Sequence, residues 1–210
     1  MLVSLIKKEF LIVKKYVLLM LVVSVLIPLF MLWRVPEYAG VMGYVLMVIF
    51  AIFMLTQYVS QKECQYPKVS ALFCAAPYPR RLMVLSKYCF CLIIYAACCL
   101  IFGIETLIFP KLGAFSVKLA VDTLMAVSVF LGIYFPLQYK LGYEKTKFAF
   151  AIVIMASPFL LPLMLKMGES INPSLLRAFP NELICSGMSL IVLIISACIS
   201  VRVYNKADLA

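Results

Sequence analysis

The sequence has no histidine at all. That removes the commonest general base and the commonest metal ligand. No G-x-x-x-x-G-K-[ST] run occurs, so the chain carries no phosphate-binding loop of its own. G-x-S-x-G and H-E-x-x-H are missing too, which leaves an enzyme reading little to stand on. The eight cysteines include no C-x-x-C pair, and most lie inside apolar runs, so they read as small buried hydrophobes rather than as a disulfide framework or metal site. Charge is scarce as well, at 13% of residues.

What remains is apolar. Hydrophobic residues make up 66% of 210 positions, where a soluble domain has about half. The chain is a membrane protein, long enough for about six spans with short loops. The predicted spans are about 16–33, 41–59, 88–109, 119–137, 148–165 and 183–201. The run from Tyr16 to Trp33 is too long for the apolar part of a signal peptide, and no small-residue cleavage site follows it.

The net charge of +10 is distributed as a topology signal, not as a nucleic-acid footprint. Fourteen of the nineteen bases fall in the N-terminal segment, the second and fourth loops and the tail. Both termini are therefore expected on the cytoplasmic side. Within residues 1–15, Lys7, Lys8, Lys14 and Lys15 form a basic stripe at helical spacing, with Leu2, Leu5, Ile6, Phe10 and Val13 over much of the rest. This is the pattern of an interfacial amphipathic helix, or more plainly the basic flank of span one.

The longest polar interruption runs from Glu63 to Lys87. Between Pro67 and Ala76 it holds Val69, Leu72 and Phe73 at helical spacing. Pro67 fits a first helical turn, Pro77 ends the helix, and Pro79 can open the next one at Arg80 and Arg81. The stretch is either a short helix suited to docking on a partner or a solvated loop that joins two spans.

Glu105, Lys118 and Asp122 fall near the outer ends of spans three and four. Lys118 precedes Asp122 by one helical turn, so the two can pair. The three either sit at the outer interface or give an outer gate a polar lining. Pro158 and Pro162 mark span five as bent or broken. Gly40 and Gly43 permit close helix packing, although the motif is weak.

Three stretches in order resemble the permease subunits of type-2 ABC exporters, in the small six-span branch that includes exporters of phenol-soluble modulins and antimicrobial peptides. They are Glu63 with ALFCAAPYPRRLMVLSKY at 71–88, FPLQYKLGYEKTKF at 135–148, and SVRVYNKADL at 200–209; LIKKEF at 5–10 fits the family's opening. Ala76 and Pro79 depart from the usual leucine and serine or threonine. The resemblance implies an all-α membrane protein of six transmembrane helices, with residues 1–15 as an amphipathic connecting helix. It implies a coupling helix around Glu63 to Ala76 that meets a separate ABC ATPase, with Tyr143 and Glu144 beside it. It further implies a second permease copy, identical or sister. ATP and magnesium would be bound by the partner, with no cofactor in this chain. The expected function is outward movement of an amphipathic or hydrophobic cargo, with a peptide toxin or antimicrobial peptide favoured. The alternative is a non-transporting immunity or sensor component on the same fold.

Overall fold

The computed structural model describes residues 2–34, 39–65, 79–113, 115–148, 150–152, 155 and 182–206. The expected coupling helix, with Pro67, Val69, Leu72, Phe73 and Pro77, lies outside the described residues. So do Pro158, Pro162 and most of predicted span five. All regular structure among the described residues is helical.

Among the described residues, five helices are long and apolar enough to cross a membrane: α1 (Leu2–Arg34), α2 (Ala39–Gln65), α3 (Arg80–Ile108), α4 (Val117–Leu141) and α5 (Glu182–Lys206). In hydrocarbon every backbone N–H and C=O must find its partner within the segment, so apolar runs of this length become helices. α1 joins what the sequence divides. The basic segment 1–15 and span one are a single helix of 33 residues, about 50 Å long. No glycine or proline interrupts residues 2–27, so nothing in the chain forces a break where the lysines end. Leu5, Glu9, Val13, Met20, Ser24 and Pro28 are buried at intervals of four and seven, one face of the helix. Leu11, Leu18, Leu26 and Phe30 are exposed on the rest, as suits contact with lipid.

α2 is the central helix. In its apolar stretch 67% of residues are buried, against 17% in α1. α1 packs along α2 and α3, α4 packs along α5, and α3 also touches α5. Two glycines bring backbones together at one end. A Cβ on Gly43 would stand 3.1 Å from Pro28 Cα, and one on Gly40 would stand 2.2 Å from the Leu112 carbonyl oxygen. The close packing anticipated for this pair therefore joins α2 to two different elements, α1 and the 3-10 turn Pro110–Leu112.

Pro79 precedes α3 in an extended conformation, as expected for a proline opening a helix. Ser116 caps α4, its hydroxyl accepting from Leu119 N–H at 3.2 Å. Gly142 ends α4 at φ +84°, a conformation glycine adopts at little cost, and a short helix follows over 143–148. Polar contacts join the packed helices in the interior. The Tyr88 hydroxyl lies 2.6 and 2.9 Å from those of Ser196 and Ser200, and Gln57 donates to the Tyr134 hydroxyl at 3.0 Å. Cys91 and Cys98 are buried among apolar neighbours.

Candidate functional site

The first half of α1, the last turns of α2 and the first turns of α3 meet around one carboxylate. Glu63 accepts from Lys87 at 2.6 Å through Oε2 and from Lys8 at 3.1 Å through Oε1. Lys8 also reaches Glu9 Oε1 at 3.1 Å. Two acids and two bases thus form one cluster spanning three helices. Lys87 lies 5.6 Å above the centre of the Tyr139 ring, which adds a cation–π contact from α4.

Each member reaches the cluster through ordinary helical geometry. Glu9 stands between Leu5 and Val13 on the buried stripe of α1, so the packing that buries those two also buries a carboxylate. Lys8 is its neighbour on the edge of that stripe, 23% exposed. Lys87 is two turns into α3 and only 11% exposed, beside the buried Val84 and Tyr88 in that helix. A buried ammonium persists only where a carboxylate compensates it, and Glu63 is placed to do so.

The charge states follow from this packing. Burial works against the Glu63 carboxylate, but Lys87 and Lys8 outweigh it and hold the carboxyl below the usual range. Burial also opposes the Lys87 charge. Glu63, followed by Tyr139 and Glu9, overcomes that and leaves the ammonium more tightly protonated than an ordinary lysine. Glu9 goes the other way. Burial, reinforced by the neighbouring Glu63 charge, pushes its carboxyl up, and Lys87 and Lys8 recover only part.

The cluster forms part of the wall of a cavity of about 500 Å³. α1 contributes Leu5, Lys8, Glu9 and Ile12; α2 contributes Ser60, Lys62, Glu63 and Cys64; α3 contributes Met83, Val84, Ser86 and Lys87. Gln138 and Tyr139 come from α4, Tyr143 from the short helix after it, and Tyr204 from α5. The N-terminal segment, both flanks of residues 66–78, the 143–148 helix and the tail therefore converge at one end of the bundle. These are the base-rich regions of the chain.

The residues singled out in the sequence divide on this geometry. Glu63 and Tyr143 line the cavity, whereas Glu144 and Arg81 are exposed. The bases on Glu63 are Lys8 and Lys87 rather than Arg81; the Arg80 side chain lies outside the described residues. Lys7, Lys14 and Lys15 are exposed on α1, and Lys8 alone of the basic stripe turns inward. Glu9 and Lys87 were not expected at a site. Glu9 had a signal: it is the first acid in the chain and sits one helical turn from Leu5 and from Val13 on an otherwise apolar face.

At the other end the expected pair does not form. Lys118 and Asp122 are both exposed, and neither takes part in an ion pair among the described residues. Between two exposed side chains a pairing would add little. Glu105 is buried, 5% exposed, and neither of its carboxylate oxygens has a hydrogen-bond partner among the described residues.

Comparison with the curated proteins and with the solved structures finds no match. The family described as ABC-2 family transporter protein matches residues 4–205, a range that contains every residue of the cluster and the cavity. With five membrane-capable helices among the described residues, the chain belongs to that family and is a permease subunit of an ABC transporter.

Proposed function

We propose that this permease passes the motion of a separate ABC ATPase to its membrane helices through residues 66–78, and so exports an amphipathic or hydrophobic cargo. The observation that supports this reading is the placement of Glu63. It joins the end of α2 to the start of α3 across residues 66–78, and both to α1. A push on the intervening segment then reaches three helices as a unit instead of being absorbed in a loose loop.

In this reading Val69, Leu72 and Phe73 dock on the ATPase between Pro67 and Pro77. Arg81 and Glu144, both exposed, belong to the same docking surface, and Arg80 is assigned to it as well. The cavity end and both termini face the cytoplasm, as the distribution of bases favours. ATP and magnesium bind to the partner alone. Two permease copies, identical or sister, enclose the cargo path. A peptide toxin or antimicrobial peptide is the cargo class that the sequence resemblance favours. Glu105, buried near the outer end of α3, and the exposed Lys118 and Asp122 of α4 are the candidates for a polar lining at an outer gate.

Co-purification tests the reading. The permease should bring down an ATPase whose turnover depends on it, and Glu63→Gln should lower that turnover while the complex stays assembled. A permease that retains no ATPase in mild detergent would favour the immunity or sensor alternative. Cysteine labelling from outside intact cells should miss a probe placed at Glu144 and reach one at Asn172.

A further inference from the structure

The cavity lies at the base-rich end of the bundle, and its wall carries an excess of positive charge. The described lining residues include three lysines, Lys8, Lys62 and Lys87, and two acids, Glu9 and Glu63. The acids present little negative charge to the cavity. Glu9 is 1% exposed, and burial pushes its carboxyl toward the neutral form. Glu63 already accepts from both Lys8 and Lys87, so two ammoniums stand on one carboxylate. Lys62 donates to Gln65 at 3.1 Å and lies 5.6 Å from the centre of the Tyr58 ring. Both groups are uncharged, so these contacts leave the lysine's charge in place. Tyr139, Tyr143 and Tyr204, all half-buried, bring phenol hydroxyls to the same wall.

The wall also has an apolar side that leads outward. Ile12 and Met83 line the cavity and are half-buried. One and two turns along α1 from Ile12, on the same face, stand Tyr16 and Leu19, both exposed. An alkyl chain rooted beside Ile12 therefore continues onto the surface of α1 that suits lipid. A volume of about 500 Å³ falls among those of small-molecule sites, roughly 300–1,000 Å³. Basic pockets between membrane helices are recurrent sites for phosphate-bearing lipid heads. The three lysines come from three different helices, α1, α2 and α3, and a phosphate has enough acceptor oxygens to meet donors from several directions at once.

We propose that this cavity binds a membrane lipid with a phosphate head, the head facing Lys62 and the lysines on Glu63 and the chain leaving past Ile12 and Met83. The site lies within one copy of the chain. It rests neither on the coupling role of residues 66–78 nor on what the transporter exports.

Native mass spectrometry of the full-length permease in a neutral maltoside detergent tests this, with dodecyl phosphate, dodecanol, dodecylamine and inorganic phosphate as probes. The expected result is one retained dodecyl phosphate per chain, bound about tenfold tighter than the alcohol or the amine, with inorganic phosphate not retained. Lys62→Gln should weaken dodecyl phosphate about fivefold. Lys14→Gln removes the same charge from an exposed site on α1 outside the cavity, and should leave binding unchanged. Ile12→Trp narrows the cavity without altering its charge; it should weaken binding as much as Lys62→Gln and serves if that variant does not fold. Equal losses from Lys62→Gln and Lys14→Gln would overturn the proposal, because they would show only attraction of an anion to a basic protein. Equal retention of alcohol and phosphate would make the site an apolar groove, and tight retention of inorganic phosphate would make it a site for a free anion; either result overturns the lipid assignment, as does retention of no probe.

Discussion

Glu63 and Lys87 are 24 positions apart in the chain and 2.6 Å apart in space, on the two sides of residues 66–78. Lys87 is the more buried of the two, so the pair is unequal. Removing the carboxylate strands a buried ammonium, while removing the ammonium leaves Glu63 one-third exposed and still bonded to Lys8.

The pair should therefore behave as an energetic unit with an asymmetric response. Glu63→Gln is expected to destabilise the purified permease by about 2–4 kcal/mol and Lys87→Gln by less. The double variant should cost about 1–3 kcal/mol less than the sum of the singles. Thermal unfolding of all four proteins in one detergent measures this; additive singles would show that the contact contributes nothing as a pair.

The two acids should respond to pH with opposite signs. Glu63 is held below the ordinary carboxyl value of 4.5, so its contribution is full above that value and is lost as pH falls through its lowered one. The advantage of wild type over Glu63→Gln should be flat near neutrality and shrink in acid. Glu9 is raised above 4.5, so its contribution is present below that value and is lost as pH rises through its raised one. Glu9→Gln should gain on wild type over that upward range. Melting temperatures of the three proteins across a pH series decide both signs.

Gly40 should tolerate no side chain. A Cβ there would meet a backbone carbonyl oxygen at 2.2 Å, and a backbone atom cannot step aside as a flexible side chain can. Gly40→Ala is expected to cost about 1–3 kcal/mol. Gly103, in α3, has nothing within 4 Å of its Cβ position. Gly103→Ala should be neutral or slightly stabilising through helix propensity. Equal melting temperatures for the two variants would contradict the close approach of α2 to Leu112.

Phe73→Ala should weaken retention of the ATPase by about 1–3 kcal/mol, the scale of a moderate interface anchor, while the permease still inserts. Phe109, at the end of α3 away from the cavity, gives the control. Pull-down at matched expression is the measurement. Retention of ATPase by Phe73→Ala equal to that of wild type would remove this side chain from the docking surface.

Five of the six spans were legible because lipid makes hydropathy and length decisive, and α3 begins at Arg80 as the Pro79 signal indicates. The grouping of ends was legible from the lysines and arginines. The contacts of the site were less so. Lys8 belongs to a stripe that reads as membrane-facing, and only the position of Glu63 on α2 turns it inward. Glu9 is hidden in the same basic segment, although its place between Leu5 and Val13 marks it for burial. Lys118 and Asp122 show the converse: a spacing that permits a pair does not oblige one between two exposed side chains. The division of α1 at residue 15 follows a change in composition, which a helix does not need to respect.

The continuity of α1 has a mechanical meaning. At Pro28 it rests directly against Gly43 of α2, and its far end holds Glu9 and Lys8. That makes a stiff lever with a fulcrum at Pro28, its arm to Leu5 about 35 Å long at 1.5 Å per residue. A tilt of about 5° at the fulcrum would carry Leu5 by about 3 Å. A rod of this kind gears small angular changes near one membrane face to displacements at the other that are as large as an ion-pair contact.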